Sequence, residues 1–267
     1  MDFNVLGPIR VRHDDGSDRT PRPLKLRMLL ALLIDSAGTV VSSDQLIKGL
    51  WNESPRTAGS ALQVYISQLR KHFQGQSGLI ETRHPGYVLS LSDHRCDISQ
   101  ARTFRFRAMA AEARGDLSEA SLHLDEYLDL WTGPTFADVR QTTWLEQIAK
   151  VQDEHRANAQ QRRIEIDLRL GRHQALVPEL YALAAQNANR QTLWGYLMLA
   201  LHRSGRSAEA LEVFTELRSN LVANHGIEPN RDLKALQRQI LEDDSSLDDR
   251  RLILGFPAPI AERRVTD

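Results

Sequence analysis

The sequence predicts a mainly helical protein with a mixed α+β part at its N-terminus. β-type apolar residues and turn residues occur at both ends of residues 2–91, and three helical patterns lie between them. From about Asp97 to Leu241 the pattern is helical throughout and rich in Ala, Leu, Arg and Glu. We therefore expect three parts: residues 1–95, residues 96–246 and a C-terminal tail, residues 247–267.

The N-terminal part begins with strand and helix signals. Residues 2–24 combine β-type apolar residues with turn residues, which predicts short strands. A helix is expected from about Leu24 to Ser36, because apolar residues recur there at helical spacing and Gly38 stands just past them. Ser43 is expected to cap a short second helix that ends at Leu50.

A third helix and a hairpin complete this part. The apolar spacing predicts the helix from Thr57 to Phe73, followed by a break at Gly75 to Gly78. Two β-like runs within Leu79–Leu91, joined by His84-Pro85-Gly86, predict a hairpin. Three helices followed by a hairpin are the layout of a winged helix-turn-helix, here with an additional N-terminal sheet.

The helical remainder contains an irregular internal repeat. The motif GDLSEA at Gly115 recurs as GRSAEA at Gly205, and a looser copy, GRHQAL, begins at Gly171. Each copy follows one apolar helix and begins another. The last two glycines are 34 residues apart, which is the tetratricopeptide period, whereas the first two are 56 apart. We expect an all-α, tetratricopeptide-like bundle rather than a regular solenoid.

Charge is distributed unevenly along the chain. Residues 1–95 carry 12 Lys and Arg against 9 Asp and Glu, whereas residues 96–267 carry 22 against 26. A basic N-terminal part favours a nucleic-acid partner, and an acidic remainder favours protein partners. The tail is mostly polar, although its apolar Leu252–Phe256 stretch could dock on the folded body.

The sequence also argues against membrane insertion and catalysis. The single cysteine, Cys96, cannot form an internal disulfide, and the longest apolar run, Met28 to Ile34, is too short to cross a bilayer. We expect a cytoplasmic protein without membrane contact. The motifs of phosphate-binding loops, hydrolase nucleophiles and zinc hydrolases are missing, and the acids around Asp243 resemble a solvated cluster. We expect neither enzymatic activity nor a cofactor.

The helix from Thr57 to Phe73 has the most informative pattern. At 100° per residue, its larger apolar side chains share one face: Leu62, Ile66, Leu69 and Phe73, with Ala58 beside them. The helix has no acidic residue, which is unusual for a face that only meets water. Small side chains on the opposite face would let the helix enter a DNA major groove, about 12 Å wide.

Candidate DNA contacts follow from this pattern. Glutamine can pair with adenine, and valine methyls can meet a thymine methyl. The residues expected to read base edges are Ser60, Gln63, Val64, Ser67 and Gln68. The residues expected at the phosphates are Trp51, Arg56, Thr57, Tyr65, Arg70 and Lys71. At the hairpin tip, Arg83 and His84 are expected to reach the minor groove or its phosphates. The alternatives are a solvated surface helix, an ordinary turn, and a Trp51 that only anchors the second helix.

These segments resemble a known family of regulators. LIKGLWNESPRTAGSALQVYISQLRKHF and LIETRHPGYVLSL are similar to the DNA-binding domain of OmpR-type response regulators, and still more to the Streptomyces antibiotic regulatory proteins (SARPs). GDLSEASLHLDEYLDLWTGPTF, LWGYLMLALHRSGRSAEALEVFTELRSNL and HGIEPNRDLKALQRQIL are similar to that family's bacterial transcriptional activation domain. The resemblance is to the small, stand-alone form and covers roughly residues 1–245, although Val64 stands where relatives often carry a polar residue.

The resemblance implies a function and a mechanism. A homodimer would bind direct repeats in double-stranded DNA near the −35 element and recruit RNA polymerase holoenzyme through contacts that include the sigma factor. The regulated genes would form a secondary-metabolite (antibiotic) cluster. Two alternatives stay open: a tetratricopeptide-type scaffold whose winged helix binds no DNA, and a repressor. Residues 1–96 are expected to fold alone and to bind one half-site weakly.

Overall fold

The computed structural model of the chain describes residues 1–73 and 78–249. It divides into two compact units. The first comprises residues 1–114 and 122–159, and the second comprises residues 115–121 with the described residues from 160 onward. Gly75 and residues 250–267 lie outside the described residues, so the expected break at Gly75, the tail beyond residue 249 and the docking of Leu252–Phe256 stay predictions.

The N-terminal sheet of the first unit has three strands. They are β1 (Asp2–Asn4), β2 (Arg10–Arg12) and β6 (Arg95–Cys96), in the order β2-β1-β6. β1 pairs antiparallel with β2 and parallel with β6. The strand content expected for the N-terminal residues is confirmed, whereas the pairing with β6 depends on a segment more than 90 positions away in the chain.

Three helices follow the first two strands. They are α1 (Leu24–Asp35), α2 (Ser43–Leu50) and α3 (Ala58–His72), and they pack against one another. The expected cap of α2 is wrong by one residue. Ser42 has an extended backbone, its side chain accepts a hydrogen bond from the Gln45 N–H, and the Gln45 side chain accepts one from the Ser42 N–H. This capping box places Ser43 inside the helix.

The hairpin after α3 joins a second sheet. β3 (Val41–Ser42), β4 (Ile80–Arg83) and β5 (Gly86–Leu89) form an antiparallel sheet in the order β3-β5-β4. We refer to residues 80–89 as the wing. Helices α1–α3 with this sheet form the winged helix-turn-helix that the sequence predicts.

The first unit also contains helical segments from beyond residue 96. These are α4 (Asp97–Ala113), most of α5 (Leu117–Leu128) and the first part of α6 (Thr143–Arg169). The buried Asp97 carboxylate accepts hydrogen bonds from the N–H groups of Val5 and Leu6, at 2.6 and 2.7 Å. The loop after α5 donates the Thr132 N–H to the Leu6 carbonyl oxygen. These bonds satisfy backbone groups at the end of the N-terminal sheet.

The second unit is an all-α bundle. Besides the end of α6 it contains α7 (His173–Gln186), α8 (Gln191–Arg203), α9 (Ser207–His225), α10 (Arg231–Leu241) and the short 3-10 helix Ser245–Asp248. The repeat copy at Gly205 follows α8 and begins α9, as the sequence predicts, and these two helices pack as a pair. Its core includes Trp194, Ala200, Ala210 and Phe214, all buried.

The repeat glycines share one backbone conformation. Gly115, Gly171 and Gly205 have φ values of +79°, +81° and +76°, and each lies between two helices. Glycine adopts this left-handed conformation at little cost, which explains why the repeat is visible at these positions. The described part of the chain contains no helix long and apolar enough to cross a membrane.

Candidate DNA-binding surface

Helix α3 is held by one buried face. Leu62, Ile66 and Leu69 are almost fully buried, as the helical wheel predicts, and Phe73 follows them at the C-cap. The ring of Phe73 meets Phe3 edge to face, with the ring centroids 6.0 Å apart. Because this apolar face packs on the core, the opposite face of α3 is directed to solvent.

The expected base-reading residues all lie on that exposed face. They are Ser60, Gln63, Val64, Ser67 and Gln68. The exposed fraction of Val64 is 51%, which is high for a branched apolar side chain in a packed domain. The Ser60 hydroxyl donates to the Thr57 carbonyl oxygen at 2.9 Å, so its oxygen still has acceptor capacity. The face therefore presents amide donors and acceptors, hydroxyls and one apolar contact, without an acid.

Four of the expected phosphate contacts lie around the two ends of α3. Arg56, Thr57 and Lys71 are exposed. Arg70 lies beside Lys71 and is also exposed, but its guanidinium has partners on the wing. Its Nε donates to the Ile80 carbonyl oxygen and its terminal nitrogen donates to the Thr82 hydroxyl, both at 2.9 Å.

The remaining two, Trp51 and Tyr65, stack on each other. Their ring centroids are 6.1 Å apart and the interplanar angle is 23°. The Lys25 ammonium lies 5.2 Å from the Trp51 ring centroid and donates to the Leu50 carbonyl oxygen. Partial burial lowers the pKa of Lys25. Sequence reasoning missed Lys25, because nothing in the local pattern of α1 signals that its amine meets a tryptophan 26 positions later.

The two candidate DNA contacts of the wing lie at its tip or next to it. Arg83 and His84 are exposed, but Arg83 is paired with Glu81: its Nε donates to the Glu81 carboxylate at 3.0 Å. An exposed ion pair of this kind is worth at most about 1 kcal/mol, so Arg83 can exchange Glu81 for a phosphate at little cost. The tip is also tied to α2, because the Ser43 N–H donates to the Pro85 carbonyl oxygen at 3.2 Å.

Gly86 allows the wing to approach β3. A Cβ atom at this position would lie 1.9 Å from the Val41 carbonyl oxygen and 2.7 Å from the Ser42 Cα. Both are backbone atoms, which cannot move aside as a flexible side chain could. The pairing of Ser42 with Gly86 therefore requires a residue without a side chain at position 86. This pairing holds the wing beside the start of α2.

Among the described residues, neither a metal-ligand cluster nor an exposed thiol accompanies this surface. Among residues 1–73 and 78–249, no group of three His, Cys, Asp or Glu side chains is arranged to hold a metal ion. Cys96 is a buried free thiol, and burial raises its pKa. The thiolate, which is the reactive form, is therefore disfavoured.

Two family descriptions match the chain. "Transcriptional regulatory protein, C terminal" matches residues 21–89, and "Bacterial transcriptional activator domain" matches residues 96–241. The first match covers helices α1–α3 and the whole wing. The second covers the helical segments from α4 to α10.

Individual relatives match over nearly the whole chain. The regulatory protein DnrI of Streptomyces peucetius is 37% identical over 258 residues, covering 93% of this chain and 94% of DnrI. The regulatory protein AfsR of Streptomyces coelicolor is 36% identical over 92% of this chain, which corresponds to 24% of AfsR. The solved structure of Mycobacterium tuberculosis EmbR in complex with a low-affinity phosphopeptide superposes with a TM-score of 0.83, at 31% identity, over 94% of this chain and 68% of that one.

Proposed function

Because this chain belongs to the SARP family of transcriptional regulators, we propose that it binds specific promoter DNA through α3 and the wing and activates transcription there. The observation that supports this most directly is the exposed, acid-free face of α3, which is held against the core by its buried face. A helix in this position of a winged helix-turn-helix enters the major groove.

The candidate contacts divide by chemistry. Gln63 and Gln68 would read adenine edges, and the Val64 methyls would meet thymine. Ser60 and Ser67 would allow close approach and add hydroxyl contacts. Around them, Trp51, Arg56, Thr57, Tyr65 and Lys71 would bind phosphates and set the register, and Arg83 and His84 would follow the adjacent minor groove.

The proposal extends to promoter architecture and partners. We infer that a cytoplasmic homodimer binds two direct repeats near the −35 element, each recognition helix in successive major grooves. The helical part from residue 96 onward would hold the two copies together and contact RNA polymerase holoenzyme, including its sigma factor. The regulated genes would be a secondary-metabolite cluster, in keeping with the family. Neither a cofactor nor catalysis is part of this proposal.

The first experiment tests DNA binding. The full chain is incubated with a pool of random-sequence duplexes, and bound duplexes are amplified over several rounds. We expect enrichment of a tandem repeat with a centre-to-centre spacing of about one helical turn, roughly 10–10.5 base pairs. The same selection with Gln63→Ala/Gln68→Ala should enrich weakly or for a different sequence. Failure of the wild-type chain to enrich any sequence would favour the scaffold alternative.

The second experiment separates activation from repression. The selected repeat is placed upstream of a −35 element in a run-off transcription assay with purified RNA polymerase holoenzyme. We expect more transcript with the full chain than without it, and no increase with residues 1–96 at occupying concentrations. A decrease with the full chain would identify a repressor, and full activation by residues 1–96 would remove the polymerase-contacting role from the helical part.

A further inference from the structure

Arg70 connects the recognition helix with the wing. It lies in the last turn of α3, and its guanidinium reaches the edge of β4 through two hydrogen bonds, to the Ile80 carbonyl oxygen and to the Thr82 hydroxyl. The same guanidinium lies 6.0 Å from the ring centroid of Tyr87, which pairs with Thr82 across the wing. One side chain therefore contacts both strands of the hairpin.

The contacted edge is the open edge of the sheet. In the order β3-β5-β4, strand β4 has a neighbour on one side, β5. The Ser90 N–H donates to the Leu79 carbonyl oxygen, which makes Leu79 and Ser90 a hydrogen-bonded pair. Along an antiparallel ladder, facing pairs alternate between hydrogen-bonded and non-hydrogen-bonded. The next pair, Ile80 and Leu89, is therefore not hydrogen-bonded, and the Ile80 carbonyl oxygen points away from β5. Arg70 supplies a donor to this outward carbonyl.

The geometry suits arginine rather than a simple positive charge. Two donors of one planar guanidinium bind two acceptors that are two residues apart on a strand, while its central carbon lies over an aromatic ring. A lysine ammonium has neither the fixed fork nor the planar face. Arg70 differs in this respect from its neighbour Lys71, which is exposed and has no such contact among the described residues.

We propose that Arg70 is a positioning residue that holds the wing at a set distance from α3, so that Arg83 reaches DNA while Gln63 and Gln68 read the major groove. The inference rests on the proposed DNA-binding function and assigns Arg70 a role other than the phosphate contact that its sequence position suggests. The wing and α3 each bind DNA and are linked to each other. When α3 is bound, a looser link lowers the effective concentration of the wing at its own site on the DNA.

The test uses four variants of the full chain: Arg70→Ala, Arg70→Lys, Thr82→Val, and Lys71→Ala as the matched control. Thr82→Val removes the hydroxyl that accepts from Arg70 and leaves the positive charges of Arg70 and Lys71 in place. Binding to a duplex enriched by the wild-type chain is measured over a range of salt concentrations, with hydroxyl-radical footprints of each complex. Circular dichroism spectra and melting curves identify any variant that fails to fold.

We expect the two Arg70 variants to bind about tenfold more weakly, Thr82→Val to bind about threefold more weakly, and all three to lose protection where the wing lies. Their slopes of log K against log salt should equal that of the wild type, whereas Lys71→Ala should reduce the slope by about one. The proposal is overturned if Arg70→Ala reduces the slope by about one while Arg70→Lys and Thr82→Val bind as the wild type does.

A measurement without DNA tests the link itself. Amide hydrogen exchange of Glu81 and Arg83 should be about tenfold faster in Arg70→Ala, because β4 is then no longer hydrogen-bonded to α3 and opens more often. In Lys71→Ala the exchange should be unchanged. Equal exchange in wild type and Arg70→Ala overturns the proposal whether or not the chain binds DNA. If the wild type enriches no duplex, the proposed function fails, and the exchange measurement still decides the role of Arg70.

Discussion

At the scale of single residues, Gln63 and Gln68 are the strongest candidates for sequence recognition. Both amides lie on the exposed face of α3, and neither is engaged by another residue in the described part of the chain. An amide of this kind can make two hydrogen bonds to one adenine, donating to N7 and accepting from the N6 amino group, and a lysine ammonium has no acceptor for the second of them. Their loss should therefore affect the choice of sequence more than the affinity for DNA in general.

We expect Gln63→Ala and Gln68→Ala each to weaken binding to the selected duplex by roughly 10- to 100-fold, equivalent to about 1–3 kcal/mol, with little change on random DNA. Gel-shift titrations on both duplexes measure the ratio. Lys71→Ala is the control and should weaken binding to both duplexes alike. Equal losses on the two duplexes for the glutamine variants would show that neither side chain reads bases.

Asp97 is the buried ionisable residue with the clearest structural role. Its carboxylate accepts the N–H groups of Val5, Leu6 and Ile98. Burial, partly offset by these hydrogen bonds, raises the pKa of Asp97 to about 6. The folded chain thus holds the proton more tightly than the unfolded chain, so the contribution of this group to the free energy of unfolding falls as pH rises from about 4 to about 6.

We expect Asp97→Ala to lower the free energy of unfolding by at least about 2 kcal/mol, because three buried N–H groups lose their acceptor. Asp97→Asn keeps one acceptor oxygen and should lose less. It should also show a weaker dependence on pH between about 4 and 6, since no proton is bound there. Urea unfolding of the three chains at pH 4, 5, 6 and 7 measures both effects. A pH profile of Asp97→Asn that matches the wild type would assign the dependence to other groups.

At the scale of elements, the wing is defined by its attachments rather than by its own strands. β5 pairs with β3, the tip is bound by Ser43, and the edge of β4 meets Arg70. A two-stranded hairpin of four residues per strand is marginal alone in water. Its position beside α3 therefore depends on these contacts, and the tightest of them is the approach of Gly86 to β3.

We expect Gly86→Ala to displace the wing from β3, because the added Cβ would overlap backbone atoms of Val41 and Ser42. The free energy of unfolding should fall by about 1–3 kcal/mol, and protection of wing amides from exchange should decrease. Gly59→Ala is the matched control, since a Cβ there meets nothing within 4 Å and should stabilise α3 by up to about 1 kcal/mol. A Gly86→Ala chain as stable as the wild type would show that the strands adjust without cost.

At the scale of the whole molecule, residues from the helical part bind the backbone groups that follow β1. Asp97 binds the backbone after β1, and the N–H groups of Thr132, Phe136 and Ala137 donate to the carbonyl oxygens of Leu6, Val5 and Gly7. A Cβ at Gly7 would lie 2.1 Å from the Thr132 hydroxyl oxygen, so the Thr132 side chain would have to move to admit it. The predicted DNA-binding domain, residues 1–95, lies within this larger unit.

We expect residues 1–159 to be more stable than residues 1–96 by at least about 2 kcal/mol, because the shorter fragment leaves the Val5 and Leu6 N–H groups without their acceptor. Urea unfolding of both fragments, followed by circular dichroism, measures the difference. The substitution Asp97→Ala within residues 1–159 should remove much of this difference in the free energy of unfolding. Equal stability of the two fragments would show that residues 1–96 satisfy these groups in another way.

Local patterns in the sequence predict the helices α1–α3, the hairpin, the helical character of residues 97–241 and the buried face of α3, but they do not predict strand β6. Helical periodicity identified α3 and its core side chains, and the glycine-marked repeat identified the helix pairs, because both depend on residues close together in the chain. The packing of distant elements determines which groups meet: Lys25 with Trp51, Arg70 with the edge of β4, and Asp97 with the turn after β1. These contacts join side chains and backbone groups 10 to 92 positions apart, and no local spacing records them. The physical reason is that hydrophobic periodicity reports burial along one element, whereas a hydrogen bond between elements depends on how their buried faces pack.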